Sequence, residues 1–416
     1  MEIKAGDNNH THAPGNLDLT FGTEGRIEID ERGTANSTIS DKDGKLVVVS
    51  HISDRFRLSR YLVDGTKDDS FEERTWNFED GDQSTPQRVL LQEDGKILVI
   101  GESLKADAVR PAVTLFNPSG SPDLVFGRRV ITTGPEGATP SRSPYKFADG
   151  CLQKGQKILI AATYTLPSGP LSRLFCLQAD GETDKSFGGG SGFIDIRLHG
   201  LDSYANNVQI QGNGSIIVAG SWRYVDQQQR TRTVARYTDE GILDYTFGQA
   251  GYTDVVVAGE RGTESQIQEL VWADIVSRVA IQDDDKIIIA GYAKGSDGNN
   301  RGLLARLEKD GSIDENFNKG VPLLISGSMD AMDFYSIGID PNGKIVAVGS
   351  GNLAGTLMEV YERISKNGVR ENFWSGYSIG TCTDVTIQPG GRVIISGSSG
   401  NNHSTRFPRI WGRLGA

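Results

Sequence analysis

Cysteine is nearly missing from this sequence. The three present, Cys151, Cys176 and Cys382, are odd in number and far apart, which excludes the disulfide framework that staples small secreted domains. Long apolar runs are also lacking. No stretch approaches the roughly 18 residues of a membrane-crossing helix, so membrane insertion is not expected. No run of Lys and Arg stands out, and the formal net charge of −11 is spread along the chain. Nucleic acid and anionic membrane surfaces need a dense positive patch and are excluded as partners. The opening "MEIKAGDNNHTHAPG" has no apolar h-region. The chain is therefore expected to be cytoplasmic, or secreted by a route without an N-terminal Sec signal peptide. Walker, GxSxG, HExxH and GxGxxG motifs are absent from the strand–helix contexts that their chemistry requires. No cofactor and no metal site are expected.

What is abundant is glycine, 52 residues, alongside a hydrophobic content of 37%. That suits a large core built from strands and turns better than one built from helices. The turns recur. "DKDGKLVVVS" (41–50), "QEDGKILVIG" (92–101), "KGQKILIAA" (154–162) and "QGNGSIIVAG" (211–220) share one form with "DDDKIIIAG" (283–291), "DPNGKIVAVG" (340–349) and "QPGGRVIISG" (388–397). Each is a tight turn followed by an apolar, β-branched run of strand length. A second motif alternates with it: "GNLDLTF" (15–21), "GTKDDSF" (65–71), "GSPDLVF" (120–126), "GETDKSF" (181–187), "GILDYTF" (241–247), "GSIDENF" (311–317) and the shortened "GVRENF" (368–373). The acidic positions, Asp18, Asp68, Asp123, Asp184, Asp244, Asp314 and Glu371, lie 50, 55, 61, 60, 70 and 57 residues apart.

A unit of that length with several short strands means a propeller or a solenoid. Residues 334–379 read as four strands, the content of one blade. The chain ends at "RIWGRLGA" without its last acidic–Phe motif, and that missing piece stands at the N-terminus as "GNLDLTFGTEGRIEID". Pairing of residues 15–29 with 406–414 would close a ring and leave no open sheet edge. The expected fold is thus all-β, a seven-bladed β-propeller of four-stranded antiparallel blades. The N-terminal strand completes the last blade. Residues 1–13 are expected to be a polar tail and 14–416 a single domain.

The alternation of "DGKIxxxG", "ARL" or "ARY", and "DGxxDxxFG" resembles the bacterial delta-60 repeat family over residues 15–414. The resemblance implies a fold defined by its repeat and carries over no catalytic residue. Departures are the extra residue of "KGQK", Leu115 and Cys176 where other units have Arg, and the shortened motif at Glu371.

A motif repeated in every unit is structural before it is catalytic. The Phe residues are expected to pack between blades, and the acids to cap turns or pair with a nearby Arg. "DDDK" lacks the spacing of a cation loop and reads as a solvated hairpin. Length variation is confined to the other face, in the loops 102–111, 129–147, 162–171, 221–232, 257–276 and 292–302. Variable loops on a rigid scaffold are where binding residues are usually found. The aromatic residues Trp76, Trp222, Tyr224, Trp272, Tyr292 and Trp374 fall in or beside them, as residues that stack on sugars or anchor a protein.

Two functions are consistent with this pattern. One is a monomeric, non-catalytic scaffold that binds a glycan or protein partner through the loop face. The other is an enzyme of lyase, hydrolase or cyclase type, with an acid–base site at the channel mouth on that face. His51, His403, Arg142, Arg223, Glu264, Arg301 and Asp333, together with Asp54 and Arg55, are its candidate catalytic residues.

Overall fold

A computed structural model describes residues 14–79, 83–105, 108–136, 139–140, 148–223, 230–257, 276–295, 297–327, 329–400 and 405–415. The β-branched runs form the second strands of the units, such as Leu46–Ile52, Ile97–Lys105 and Ile287–Lys294. Both faces of these strands are buried, because neighbouring sheets cover them on either side. That is why they read as continuous apolar runs and not as an alternating pattern. The turns before them use left-handed glycines, with φ of 82° at Gly44 and 83° at Gly95, a conformation that costs glycine nothing.

The fold is an all-β propeller of antiparallel blades, but seven separate four-stranded blades are not what forms. Five blades are separate. Four have four strands each, running from Gly33 to Trp76, Gln83 to Val130, Ser203 to Val255 and Val276 to Ile325. The fifth, between Thr139 and Ile196, has five strands, with both Thr139–Pro140 and Ala148–Leu152 pairing with Ile158–Leu166. The rest of the chain makes one continuous sheet of seven strands. The cause is the strand Arg370–Ile387, which runs for 18 residues. Its first part pairs with Thr356–Ile364 and its last part with Val393–Ser399. The shortened "GVRENF" stands where the Asp-x-x-Phe turn elsewhere separates the third and fourth strands of a blade, and the fourth strand after it runs on into the next first strand with no connector between them.

The N-terminal strand Arg26–Glu28 lies at the edge of that sheet, with Arg26 opposite Trp411 and Glu28 opposite Arg409. Phe21 is fully buried. Thr383 Oγ1 donates to the Ala35 carbonyl at 2.5 Å, joining the seven-stranded sheet to the first blade.

The two repeated motifs meet in space. The lysine of each "DGK" turn pairs with the acid of the same unit's second motif. Lys45 is 2.9 Å from Asp68, Lys96 3.0 Å from Asp123, Lys157 2.6 Å from Asp184 and Lys286 2.9 Å from Asp314. An arginine often joins them, as Arg60, Arg236 and Arg306 do at 2.8, 2.8 and 2.6 Å from their acids. Burial pushes the Asp314 carboxyl up, but bonds from Lys286, the Asn316 N–H and Arg306 outweigh it and bring its pKa to about 2. The same guanidinium groups lie over the motif phenylalanines, Arg236 being 4.8 Å from the Phe247 ring centroid. At the closure Gly412 leaves room for Phe21, and Arg392 reaches Asp18 at 2.6 Å from the opposite end of the chain.

Candidate functional site

The first strand of nearly every unit carries a bulge, for example between Ala35 and Ser37, Pro86 and Arg88, Val276 and Arg278, and Cys382 and Asp384. A bulge re-aims a side chain, and here it aims polar ones at the ring axis. Asp384 Oδ2 accepts from Ser37 Oγ at 2.7 Å and from the Thr38 N–H at 3.2 Å. Its Oδ1 accepts from Ser336 Oγ at 2.7 Å and Arg278 Nη2 at 3.1 Å. Arg278 also reaches Asp149 at 3.5 Å, and Arg88 stands 3.8 Å from Asp384. Ser37 and Ser336 come from the units on either side of Asp384, whereas the Arg278–Asp384, Arg278–Asp149 and Arg88–Asp384 pairs join units that are not neighbours, so these side chains cross the channel. Asp149, Arg278 and Asp384 are all at most 3% exposed.

On the short-turn face the channel opens into a cavity of about 760 Å³ that includes Asp41, Asp283, Asp284 and Asp340. Three of these carboxylates cap their own turns. Asp41 accepts the N–H groups of Asp43 and Lys45, Asp340 those of Asn342 and Lys344, and Asp284 that of Lys286. "DDDK" is a capped hairpin.

On the loop face, Asp333 stands three residues before the axis residue Ser336. Asn300 Nδ2 donates to its Oδ1 at 2.6 Å. Burial pushes its carboxyl up to about 6, against the opposing pull of Asn300 and Lys294. Arg301 adjoins through Asn300 and is occupied, donating to the carbonyls of Asn300 and Asp330 at 3.2 Å each and pairing with Asp297. The structure thus gathers Asp333 and Arg301 in one patch. His51 lies apart on the first blade, its N–H donating to Asn36 Oδ1 at 3.1 Å. Asp54 accepts the Ser84 N–H at 2.8 Å through its carbonyl, and Arg55 opens the third strand of the first blade. Arg142, Tyr224, Glu264, Trp272 and His403 lie outside the described residues. Of Arg223 and Trp374 only the strand positions are described, opposite Arg230 and Tyr361.

The predicted aromatic residues whose side chains are described, Trp76, Trp222 and Tyr292, are integrated into the scaffold. Trp76 lies under Arg128, 4.2 Å from its ring centroid, and edge-on to Phe116. Tyr292 is 4% exposed. Trp222 is more informative. Its Nε1–H donates to Thr233 Oγ1 at 2.8 Å, and Thr233 Oγ1 donates to Asp254 Oδ1 at 2.5 Å. The same oxygen meets His199 Nε2 at 2.9 Å. The His199 ring lies 4.4 Å from Tyr252, tilted by 33°, and 5.2 Å from Trp222. His199 belongs to the connector between two blades, at φ 53° in the left-handed region, where histidine is tolerated better than most residues. Tyr252 and Asp254 lie on the adjoining outer strand, Tyr252–Val255. His199, Tyr252 and Asp254 border a rim cavity of about 380 Å³, which also takes in Gln249, Asp310 and Ser312. Sequence reasoning singled out Trp222 and passed over His199, Tyr252 and Asp254, because nothing in the repeat marks a connector histidine.

Among the described residues, no group of three or more His, Cys, Asp and Glu is arranged to hold a metal ion. No helix among them is long and apolar enough to cross a membrane.

Fold and motifs together define a β-propeller repeat protein. Three segments, residues 42–71, 92–126 and 282–317, match the family described as "Domain of unknown function (DUF5122) beta-propeller". Each segment runs from the "DGK" turn to the motif phenylalanine. No curated protein matches the sequence. Among solved structures, the chain is similar to a PL25 polysaccharide lyase, an ulvan lyase bound to -[GlcA(1-4)Rha3S]-. That match has 10% identity and a TM-score of 0.49, over 94% of this chain and 96% of that one. It is also similar to the polysaccharide lyase Uly1, at 11% identity and a TM-score of 0.49, over 99% and 95% of the two chains. A third similar structure is an alpha-L-arabinofuranosidase from Fusarium graminearum, at 10% identity and a TM-score of 0.45, over 92% and 94%. These likenesses are too distant to bear on a site or a reaction.

Proposed function

We propose that the protein is a non-catalytic binding scaffold, and that its ligand is a neutral glycan held at the His199 cleft. The supporting observation is the stacked His199–Tyr252 pair beside Asp254. Aromatic faces match the C–H faces of a sugar ring, and a carboxylate accepts its hydroxyls. Trp222 acts one layer back as a positioning residue, holding Asp254 through Thr233. Membership of the bacterial delta-60 family, a monomeric state, and a cytoplasmic or secreted location belong to the same proposal, supported by the sequence pattern.

The test is a glycan array probed with the full chain and with His199→Gly. Glycine suits the left-handed backbone there, so the fold should keep its stability while binding falls about tenfold or more. Unchanged binding in the variant would sink the reading. A pull-down that captures a specific protein, with a blank array, would replace the glycan with a protein partner.

A second reading, an enzyme with an acid at the channel mouth, is favoured by Asp333. A carboxyl with a pKa of about 6 holds a proton at mildly acidic pH and is suited to general acid–base work. Its folded pKa is raised, so the folded state binds the proton more tightly than the unfolded state does. That stability is present below about pH 4 and is lost as pH rises through 6. Urea unfolding should show a loss of roughly 2 kcal/mol between pH 4 and pH 7, discounted for the partial exposure of the group. Asp333→Asn should lower the slope by that amount and leave the part due to Glu102 and Glu359, whose carboxyls burial pushes up to about 7 and about 8. An equal slope in the variant would remove the basis of the second reading.

A further inference from the structure

The His199 cavity does not end at Asp254. A second cavity of about 290 Å³ begins there, and Asp254 and Ile313 line both. Its other walls are apolar, among them Val256, Phe317, Val321 and Pro322. Val256, Ile313 and Val321 are 50%, 50% and 57% exposed, in a fold whose apolar side chains are mostly buried between sheets. Apart from Asp254 at the shared boundary, the charged side chain in this second cavity is Arg306, and it is committed to Asp314 at 2.6 Å and to the Lys366 carbonyl at 2.6 Å.

The first cavity is rich in acceptors. Asp254 and Asp310 line it, and neither lysine nor arginine does. The Ser312 N–H and hydroxyl hold the Asp310 carboxyl below the usual range, so it carries its charge at neutral pH. A negative, acceptor-lined pocket repels uronates, sulfates and phosphates and favours neutral hydroxyl donors.

From this juxtaposition we infer that the ligand is an amphiphilic glycoside, with a neutral sugar in the His199 cavity and an apolar aglycone in the cavity lined by Val321. The inference rests on the glycan reading of the His199 cleft and adds the chemical class of the substituent. One wall of the groove stacks and accepts hydrogen bonds, and the other offers only dispersion contacts and dry surface. A free sugar would leave the second cavity wet. A purely apolar ligand would set its surface against two carboxylates, Asp254 and Asp310, and desolvate them without adding a hydrogen bond.

The experiment compares paired methyl and phenyl pyranosides of glucose, galactose, mannose and N-acetylglucosamine by titration calorimetry, with the full chain and with Val321→Asp. Val321 is exposed, so the substitution leaves the core untouched. The expected result is a phenyl glycoside bound about tenfold more tightly than its methyl partner, a ratio that collapses toward one in V321D. A ratio near one in the unmodified protein, with methyl glycosides binding, overturns the aglycone site and leaves the glycan reading standing. So does an unchanged ratio in V321D. Failure of both series to bind overturns the glycan reading and this inference with it. Binding of an apolar peptide in their place points to a protein ligand.

Discussion

Removal of residues 1–29 is expected to abolish folding. The segment supplies much more than the three-residue strand Arg26–Glu28. Phe21 is buried against Gly412 and the turn at Gly65. The Asp18 N–H donates to the Gly412 carbonyl at 2.9 Å, and Arg413 Nη1 donates to the Gly15 carbonyl at 2.8 Å. Asp18 also takes the Arg392 guanidinium. Truncating one fully buried phenylalanine costs about 3–5 kcal/mol, a large part of the roughly 5–15 kcal/mol that holds a typical domain together. The deletion also bares the apolar strand Phe407–Arg413 as an open edge, which templates association. Size-exclusion chromatography should show aggregate, and far-UV circular dichroism should show a lost or strongly lowered melting transition. Phe21→Ala, which keeps the strand, should lower stability by about 3–5 kcal/mol in urea. A deletion variant that stays a monomer with unchanged melting would show that the closure contributes nothing.

The sequence carried the periodicity of the fold well, because each unit must solve the same packing problem. The β-branched runs became buried second strands, and the "DG" and "NG" pairs became the left-handed turns that precede them. The blade count failed at one place, for a local reason. The fourth strand after the shortened motif at Glu371 continues into the next first strand, so the last two units share one sheet. The partners of the repeated acids were half legible. An Arg eight residues upstream, as Arg60 is to Asp68, lies within sight of a local pattern. The turn lysine, 23 residues from its acid in the pair Lys45–Asp68, is found only by setting the two motifs side by side. The axis residues were legible in principle. Ser37, Arg88, Asp149, Asn207, Arg278, Ser336 and Asp384 all stand four residues before the Asp or Gln that opens each turn. Every one is polar and stands at the same place relative to its turn. The His199 cleft was not legible, because it joins a connector, an outer strand and the turn of the next blade, which share no sequence pattern.

Asp384→Asn should destabilise the protein by about 3–5 kcal/mol, the usual consequence of stripping a buried cation of its partner. The asparagine keeps the shape and removes the charge. Four donors converge on the carboxylate: Ser37, the Thr38 N–H, Ser336 and Arg278. An amide presents two hydrogens of its own toward them, so several of these donors lose their acceptor while Arg278 stays buried. Asp149, at 3.5 Å, is too distant to carry the whole guanidinium. The loss should be largely recovered by adding Arg278→Met, because replacing a buried pair with apolar groups costs far less than breaking it. Urea unfolding of the single variants and the double variant gives the coupling directly, and strong non-additivity is the expected outcome. A loss below about 1 kcal/mol in Asp384→Asn would mean that water reaches the axis and screens these charges as it does surface pairs. In that event the channel would be open at this level, and the first strands would be held by sheet packing alone. With the coupling present, the axis ties the first strands of separate units to one another. The rim is then a rigid support, and the His199–Tyr252–Asp254 geometry stands ready before any ligand arrives.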